Sequence, residues 1–135
     1  MKVQGACQCG RVSYEAEVDP ARVSICHCDD CQVFSGSAYR VSVPAPRESF
    51  RLLSGKPKVY LKTAESGNKR AQSFCDNCGA PVYATDPVDA PPIYMLRVGG
   101  LKQKAQLPPK KRIWCRSMLE WSKDIGGLPG IDGQP

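Results

Sequence analysis

Seven of the eight cysteines in this 135-residue chain fall into three tight groups. They are Cys7-x-Cys9-Gly10 near the N-terminus, Cys26-His27-Cys28-Asp29-Asp30-Cys31, and Cys75-x-x-Cys78-Gly79 far downstream. The middle group puts three sulfurs within six residues, too crowded for ordinary packing and too odd a number to pair off internally. A bridge between residues i and i+2 also fits disulfide geometry poorly. Spacing of this kind reads as metal ligation or redox chemistry before it reads as a disulfide framework. For the outer groups, the bland alternative is a set of reduced cysteines in the core.

The outer groups share a feature that the middle one lacks: each ends in glycine, Gly10 and Gly79. A turn that wraps backbone N–H groups around a thiolate often needs positive φ, which glycine adopts freely. Taken together, Cys7, Cys9, Cys75 and Cys78 make a saturated tetrahedral set for a structural zinc ion. They lie so far apart in the chain that the metal would close most of it into one loop. Cys26, Cys28 and Cys31 supply only three thiolates. Three protein ligands plus one exchangeable position is the arrangement of a catalytic zinc site. Two Zn²⁺ ions are therefore expected, one structural and one catalytic, the second held less firmly.

Several residues compete for the fourth position of the open site. His27 is the single histidine. In an extended segment its side chain points away from those of Cys26 and Cys28, which favours packing or hydrogen bonding behind the ligands. Asp29 and Asp30 are alternatives as oxygen ligands, although acidic turn residues are usually just solvated. Cys115, in Ile113-Trp114-Cys115, is expected to be a buried apolar cysteine, with fourth ligand or reactive thiol as its other readings. Within the triplet the central Cys28 is expected to be the most exchangeable.

A chain of this length forms one domain and buries roughly two thirds of its surface. Twelve glycines and twelve prolines argue for short strands and turns over long helices. No apolar run approaches the ~20 residues of a membrane span. Met1-Lys2-Val3-Gln4 leads into a cysteine group with no signal-peptide core, so the expected location is cytoplasmic. The formal charge is +6; seven bound thiolates subtract seven and two dications return four, leaving +3. That modest excess suits small anionic ligands and only weakly suits nucleic acid.

Val12, Tyr14, Ala16 and Val18 alternate with polar residues, the period of a half-buried strand. A short strand over Arg22 to Ile25 delivers the triplet, and Asp29 to Phe34 forms a helical turn. Tyr39, Val41 and Val43 alternate until Pro44 and Pro46 stop them. Phe50 to Leu53 and Val59 to Leu61 suggest a hairpin across Gly55-Lys56-Pro57. Strands over Arg70 to Phe74, Val82-Tyr83 and Tyr94 to Val98 follow. Leu101 to Arg112 reads as a solvated basic loop, and residues 126–135 as a flexible tail after a domain spanning 1–125.

The ordered set Gly5-Ala6-Cys7-Gln8-Cys9-Gly10, Cys26-His27-Cys28-Asp29-Asp30-Cys31 and Phe74-Cys75-Asp76-Asn77-Cys78-Gly79 resembles the glutathione-dependent formaldehyde-activating enzyme family. That family shares its domain with centromere protein V, and the likeness runs from about Val3 to Trp121. The resemblance implies a mainly β fold of the β-tent type, with several antiparallel sheets organised around zinc. It implies the same ligand division: Cys7, Cys9, Cys75 and Cys78 structural, Cys26, Cys28 and Cys31 catalytic. It further implies a carbon–sulfur lyase that makes or breaks S-hydroxymethylglutathione. Arg112 stands where many relatives carry a histidine, and Cys115 is unusual at its position; both bear on substrate more than on metal. Glutathione or another small thiol adduct is the expected partner, with Arg40, Arg97 and Arg112 as candidate contacts for its carboxylates. Two other classes remain open at this stage: a thiol-binding module without turnover, and a zinc-stabilised interaction or nucleic-acid module. Oligomeric state is left open.

Overall fold

The computed structural model describes residues 1–135. The fold is mainly β: β1 (Lys2–Ala6), β2 (Ser13–Glu17), β3 (Ser24–Cys26), β4 (Arg40–Pro46), β5 (Arg51–Ser54), β6 (Lys58–Thr63), β7 (Lys69–Phe74), β8 (Pro81–Thr85), β9 (Ile93–Arg97) and β10 (Lys111–Ile113), with one α-helix, α1 (Asp29–Ser35). β1, β2 and β5 form a small antiparallel sheet; the other seven strands form a large one in the order β10-β3-β4-β9-β8-β7-β6. No helix is long and apolar enough to cross a membrane.

The alternation around Tyr14 behaves as expected: Val12, Tyr14, Ala16 and Val18 are all buried. With Val3 they pack against Val43, Ala45, Val82 and Leu96 of the large sheet. An aromatic group closes one end of this interface. Phe50 stacks on Tyr94 with centroids 3.9 Å apart, and Tyr83 meets both rings edge-on at 5.2 Å. Such offset and edge contacts add modestly to what the burial itself contributes.

Three local expectations need correction. β4 runs through Pro44 and Pro46 instead of stopping before them. The reason is that β3 pairs only with Arg40 to Ser42, so further along β4 has a free edge on that side, where proline is tolerated. Second, β5 and β6 do not form a hairpin: β5 pairs with β2 and β6 with β7. Gly55, at φ 80°, carries the chain between the sheets and lies so close to the Arg11 carbonyl that a Cβ would overlap it. Third, part of the basic run is a strand, since β10 lies parallel to β3 with Ile113 opposite Cys26. β1 and β10 carry no apolar alternation strong enough to stand out in the sequence.

Short 3₁₀ turns continue over Glu120–Gly127, and residues beyond them are exposed and irregular.

Gly5 faces Tyr14 across the β1–β2 register. Tyr14 is 1% exposed and cannot swing away, and a Cβ on Gly5 would overlap its ring. Gly5→Ala is therefore expected to cost about 1–3 kcal/mol. It should lower the urea midpoint while leaving the m-value unchanged.

Candidate metal centres

The two outer cysteine groups are hairpin loops. Residues 7–12 join β1 to β2 in the small sheet, and residues 75–80 join β7 to β8 in the large one. Each loop is closed by its own backbone bonds: Cys7 N–H to the Val12 carbonyl (3.0 Å) and Gly10 N–H to Cys7 (3.2 Å). The second uses Cys75 N–H to Ala80 (3.0 Å) and Gly79 N–H to Cys75 (2.8 Å). Gly10 and Gly79 sit at φ 83° and 76°, as the turns require.

Together the loops bring the sulfurs of Cys7, Cys9, Cys75 and Cys78 to within 4.8 Å of one another. Cys7–Cys9 and Cys9–Cys75 Sγ separations are both 3.7 Å. A tetrahedron with metal–sulfur bonds of ~2.3 Å has edges of about 3.8 Å, so this set fits a tetrahedral thiolate site. Backbone amides aim at it, including Val12 N–H on Cys7 Sγ at 3.2 Å. Cys9 is pulled down to about 6, first by the Asn77 side chain and then by the Arg11 amide.

The triplet is built at a strand-to-helix junction. Cys26 ends β3, Cys28 caps α1, and Cys31 lies in its first turn. Cys28 Sγ accepts from the Cys31 amide at 3.4 Å, in the way a serine or aspartate caps a helix. Gly36, at φ 62°, terminates the helix in the left-handed conformation. The three sulfurs also lie within 4.8 Å of one another, and no histidine or carboxylate joins them. Cys31 is lowered by a hydrogen bond from Cys26 and by the positive charges of Arg40 and Arg97. Cys26 is correspondingly raised, through that hydrogen bond and through burial.

None of the competitors for the fourth position joins the three sulfurs. His27 is 2% exposed, with its ring edge-on to Tyr39 at 5.5 Å. It packs, as expected, but neither ring nitrogen makes a hydrogen bond. Asp30 pairs with Lys62 at 3.5 Å. Cys115, expected to be buried, is exposed. Trp114 before it takes φ +55°, a left-handed conformation rare for so bulky a residue, and this turns the chain out after β10.

The triplet opens on a cavity of about 250 Å³. Its floor is the face of the large sheet opposite the core. Cys26 lies across from Arg40, Ser24 from Ser42, Ser42 from Arg97, and Ala84 from both Met95 and Gln72. Strand alternation thus sends Val43 and Leu96 to the core and their neighbours Ser42 and Arg97 to the cavity. Trp114 forms part of the wall, with the Arg116 guanidinium 4.6 Å from its ring centroid. Of the three arginines named from sequence, Arg40 and Arg97 reach the cavity. Arg112 does not; its closest polar partner is Met118 Sδ at 3.6 Å. Gln72, Ser42 and Trp114 were not anticipated. For Gln72 the signal was present in the alternation of Arg70 to Phe74.

A mainly β fold whose sheets converge on one closed and one open thiolate cluster defines a class of cysteine-clustered metal-site proteins. Residues 2–117 match the family model described as glutathione-dependent formaldehyde-activating enzyme, and the chain belongs to that family. Among curated proteins it is similar to an uncharacterized lyase of Schizosaccharomyces pombe, 27% identical over 86 residues. That match covers 59% of this chain and 55% of the relative, so the chain spans about half the length of the curated protein it matches. A crystal structure of a Rhodobacter sphaeroides protein has the same fold, with TM-score 0.61 at 21% identity. It covers 81% of this chain and 98% of that one.

The two sites should respond differently to substitution. Cys78→Ser removes one of the four sulfurs gathered between the two sheets and is expected to abolish cooperative thermal unfolding, as thorough chelation should. Cys28→Ser retains a helix-capping oxygen. It is expected to lower metal content from two ions to one, measured by elemental analysis, while preserving the melt. Equal unfolding of both variants would show that the sites do not divide in this way.

Proposed function

We propose that the chain is a zinc-dependent carbon–sulfur lyase that acts on adducts of glutathione or another small thiol, of the S-(hydroxymethyl)glutathione type. Cys7, Cys9, Cys75 and Cys78 hold a structural zinc, and Cys26, Cys28 and Cys31 hold the catalytic one. The observation that carries the reading is the contrast between a four-sulfur set and a three-sulfur set that faces a cavity. Family membership and the lyase name of the yeast relative support the reaction class. The need for reduced thiols supports a cytoplasmic location.

Zinc bound by three thiolates supplies an exchangeable fourth position and lowers the pKa of a thiol there. The chain's own residues do the rest. Cys28 both ligates and caps α1, so the ligand set is held by the helix's own hydrogen bonding. That makes the buried Cys28 better anchored than Cys26, half-buried at the strand end, the reverse of the expectation that Cys28 is the most exchangeable. Arg40 and Arg97 place positive charge at the cavity floor. Cleavage of a hydroxymethyl thioether breaks the C–S bond as the hydroxyl carbon becomes a carbonyl. The hydroxyl proton leaves to solvent and the electron pair stays on sulfur. Fixed cations near that sulfur stabilise the charge it gains. Addition of the thiol to the aldehyde is the reverse.

A second reading is favoured by the donor set itself. Three thiolates leave a zinc ion electron-rich and a weak Lewis acid, which suits holding a thiol better than activating a carbonyl. Calorimetry with glutathione, run beside a formaldehyde-release assay on the hydroxymethyl adduct, separates the two. The lyase reading expects both signals, and Cys31→Ala should lower turnover by more than the ~10–100-fold typical of groups that only orient ligands. Binding without release in the wild type would leave the thiol-binding module.

A further inference from the structure

The cavity beside the triplet has a floor rich in polar side chains and one apolar wall, made by Ile113 and Trp114. β10 runs parallel to β3 with Ile113 opposite Cys26, and the Ile113 carbonyl accepts from the His27 amide at 3.1 Å. Neighbouring strands lie about 4.8 Å apart, so this wall stands beside the sulfurs. Ile113 is 41% exposed, which leaves apolar surface open next to the triplet. Neither Ile113 nor Trp114 belongs to the core shared by the two sheets.

Trp114 is the one residue other than glycine with positive φ, at 55°. So bulky a side chain is strained there, and such strain persists only where the surroundings enforce it. Its effect is directional. In a strand that simply continued, Ile113 and the next side chain would point to opposite faces. The left-handed residue ends β10 at Ile113 and lets both side chains line one cavity. The ring is also held from a second direction. The Arg116 guanidinium lies 4.6 Å from its centroid, and Arg116 pairs at 3.7 Å with Glu65, a residue of the loop between β6 and β7 that lines the same cavity. A hydroxymethyl group, a single carbon with its hydroxyl, offers such a wall almost nothing to bury.

We propose that Ile113 and Trp114 form an apolar shelf beside the triplet, which receives an alkyl or aryl substituent on the carbon bonded to the ligand's sulfur. The inference deepens the reading of the triplet as a thiol site and rests on it. It names the substrate class as thiol adducts of aldehydes larger than formaldehyde. In such an adduct one carbon carries the sulfur, the hydroxyl and the apolar group together. With the sulfur at the triplet, the third substituent lies one bond further out, where Ile113 faces Cys26 across the strand pair. The chemistry balances as for the hydroxymethyl adduct. The C–S bond breaks with its electron pair left on sulfur, the hydroxyl carbon becomes a carbonyl, and the hydroxyl proton leaves to solvent. The shelf holds the part of the molecule that becomes the aldehyde and takes no part in the bond changes.

The test is titration calorimetry of the zinc-loaded protein with phenylmethanethiol and with 2-mercaptoethanol, at verified metal content. In parallel, the Trp114 indole N–H resonance is followed by NMR during addition of phenylmethanol, which carries the ring without the sulfur. Trp121, the other tryptophan, is exposed, and Trp121→Phe assigns the two signals. Phenylmethanethiol is expected to bind at least about tenfold more tightly than 2-mercaptoethanol in the wild type. Trp114→Gly removes the ring and suits the positive φ, and should bring the ratio of the two affinities close to one. Trp114→Phe should keep most of the preference. Equal affinity for the two thiols in the wild type overturns the shelf, whatever the variants do, and leaves the thiol reading standing. A preference that survives Trp114→Gly also overturns it. If neither thiol binds but phenylmethanol saturably shifts the Trp114 resonance, the shelf stands and the thiol reading falls. No response to any of the three ligands removes both.

Discussion

Cys7, Cys9, Cys75 and Cys78 meet where the hairpin loop of one sheet touches the hairpin loop of the other. Only 29 of 135 residues are buried, a small core for two sheets to share. A structural zinc site contributes ~10–16 kcal/mol at neutral pH, while whole domains are stable by ~5–15 kcal/mol. A zinc ion held by the four sulfurs gathered at that junction would act on the same scale as the entire core. Beside that junction, Tyr14 and Ala16 of the small sheet share one core with Val43 and Leu96 of the large sheet. The aromatic group around Phe50 adds its contacts to the same interface.

The second face of the large sheet is free to be polar because the first carries the packing. Each strand that gives the core an apolar residue gives the cavity the residue next to it: Leu96 inward and Arg97 outward, Val43 inward and Ser42 outward. The triplet enters this face from β3, and its geometry is set by a helix of only seven residues. A thiol cluster bordered by buried guanidiniums makes a place where negative charge on sulfur is stabilised.

Much of the site was legible in spacing because metal ligation leaves a covalent-scale signature in sequence. Glycine at the end of both outer groups signalled turns of positive φ, and Gly10 and Gly79 adopt them. Alternation from Val12 to Val18 showed a strand and its buried face correctly. Where the reading failed, pairing was at issue. Phe50 to Leu53 and Val59 to Leu61 were both strands, yet Gly55 sends them to different sheets. Pro44 and Pro46 looked like stops because nothing local reveals that β4 has an open edge there. Cys115 resembled a core residue from its apolar neighbours, but the left-handed turn at Trp114 points the chain outward.

Sequence alone determined which sulfurs belong together and that one cluster has four and the other three. Those properties depend on residue type and local spacing, which are written in the chain. Tertiary structure decided which side chains face the open centre. Arg40, Arg97 and Gln72 come from three strands that meet only through sheet register, and Lys62, Asp30 and Glu65 are neutralised only by neighbours in space. Whether a charge is paired or left over is a property of that packing, because electrostatic balance is settled across distances that linear spacing does not encode.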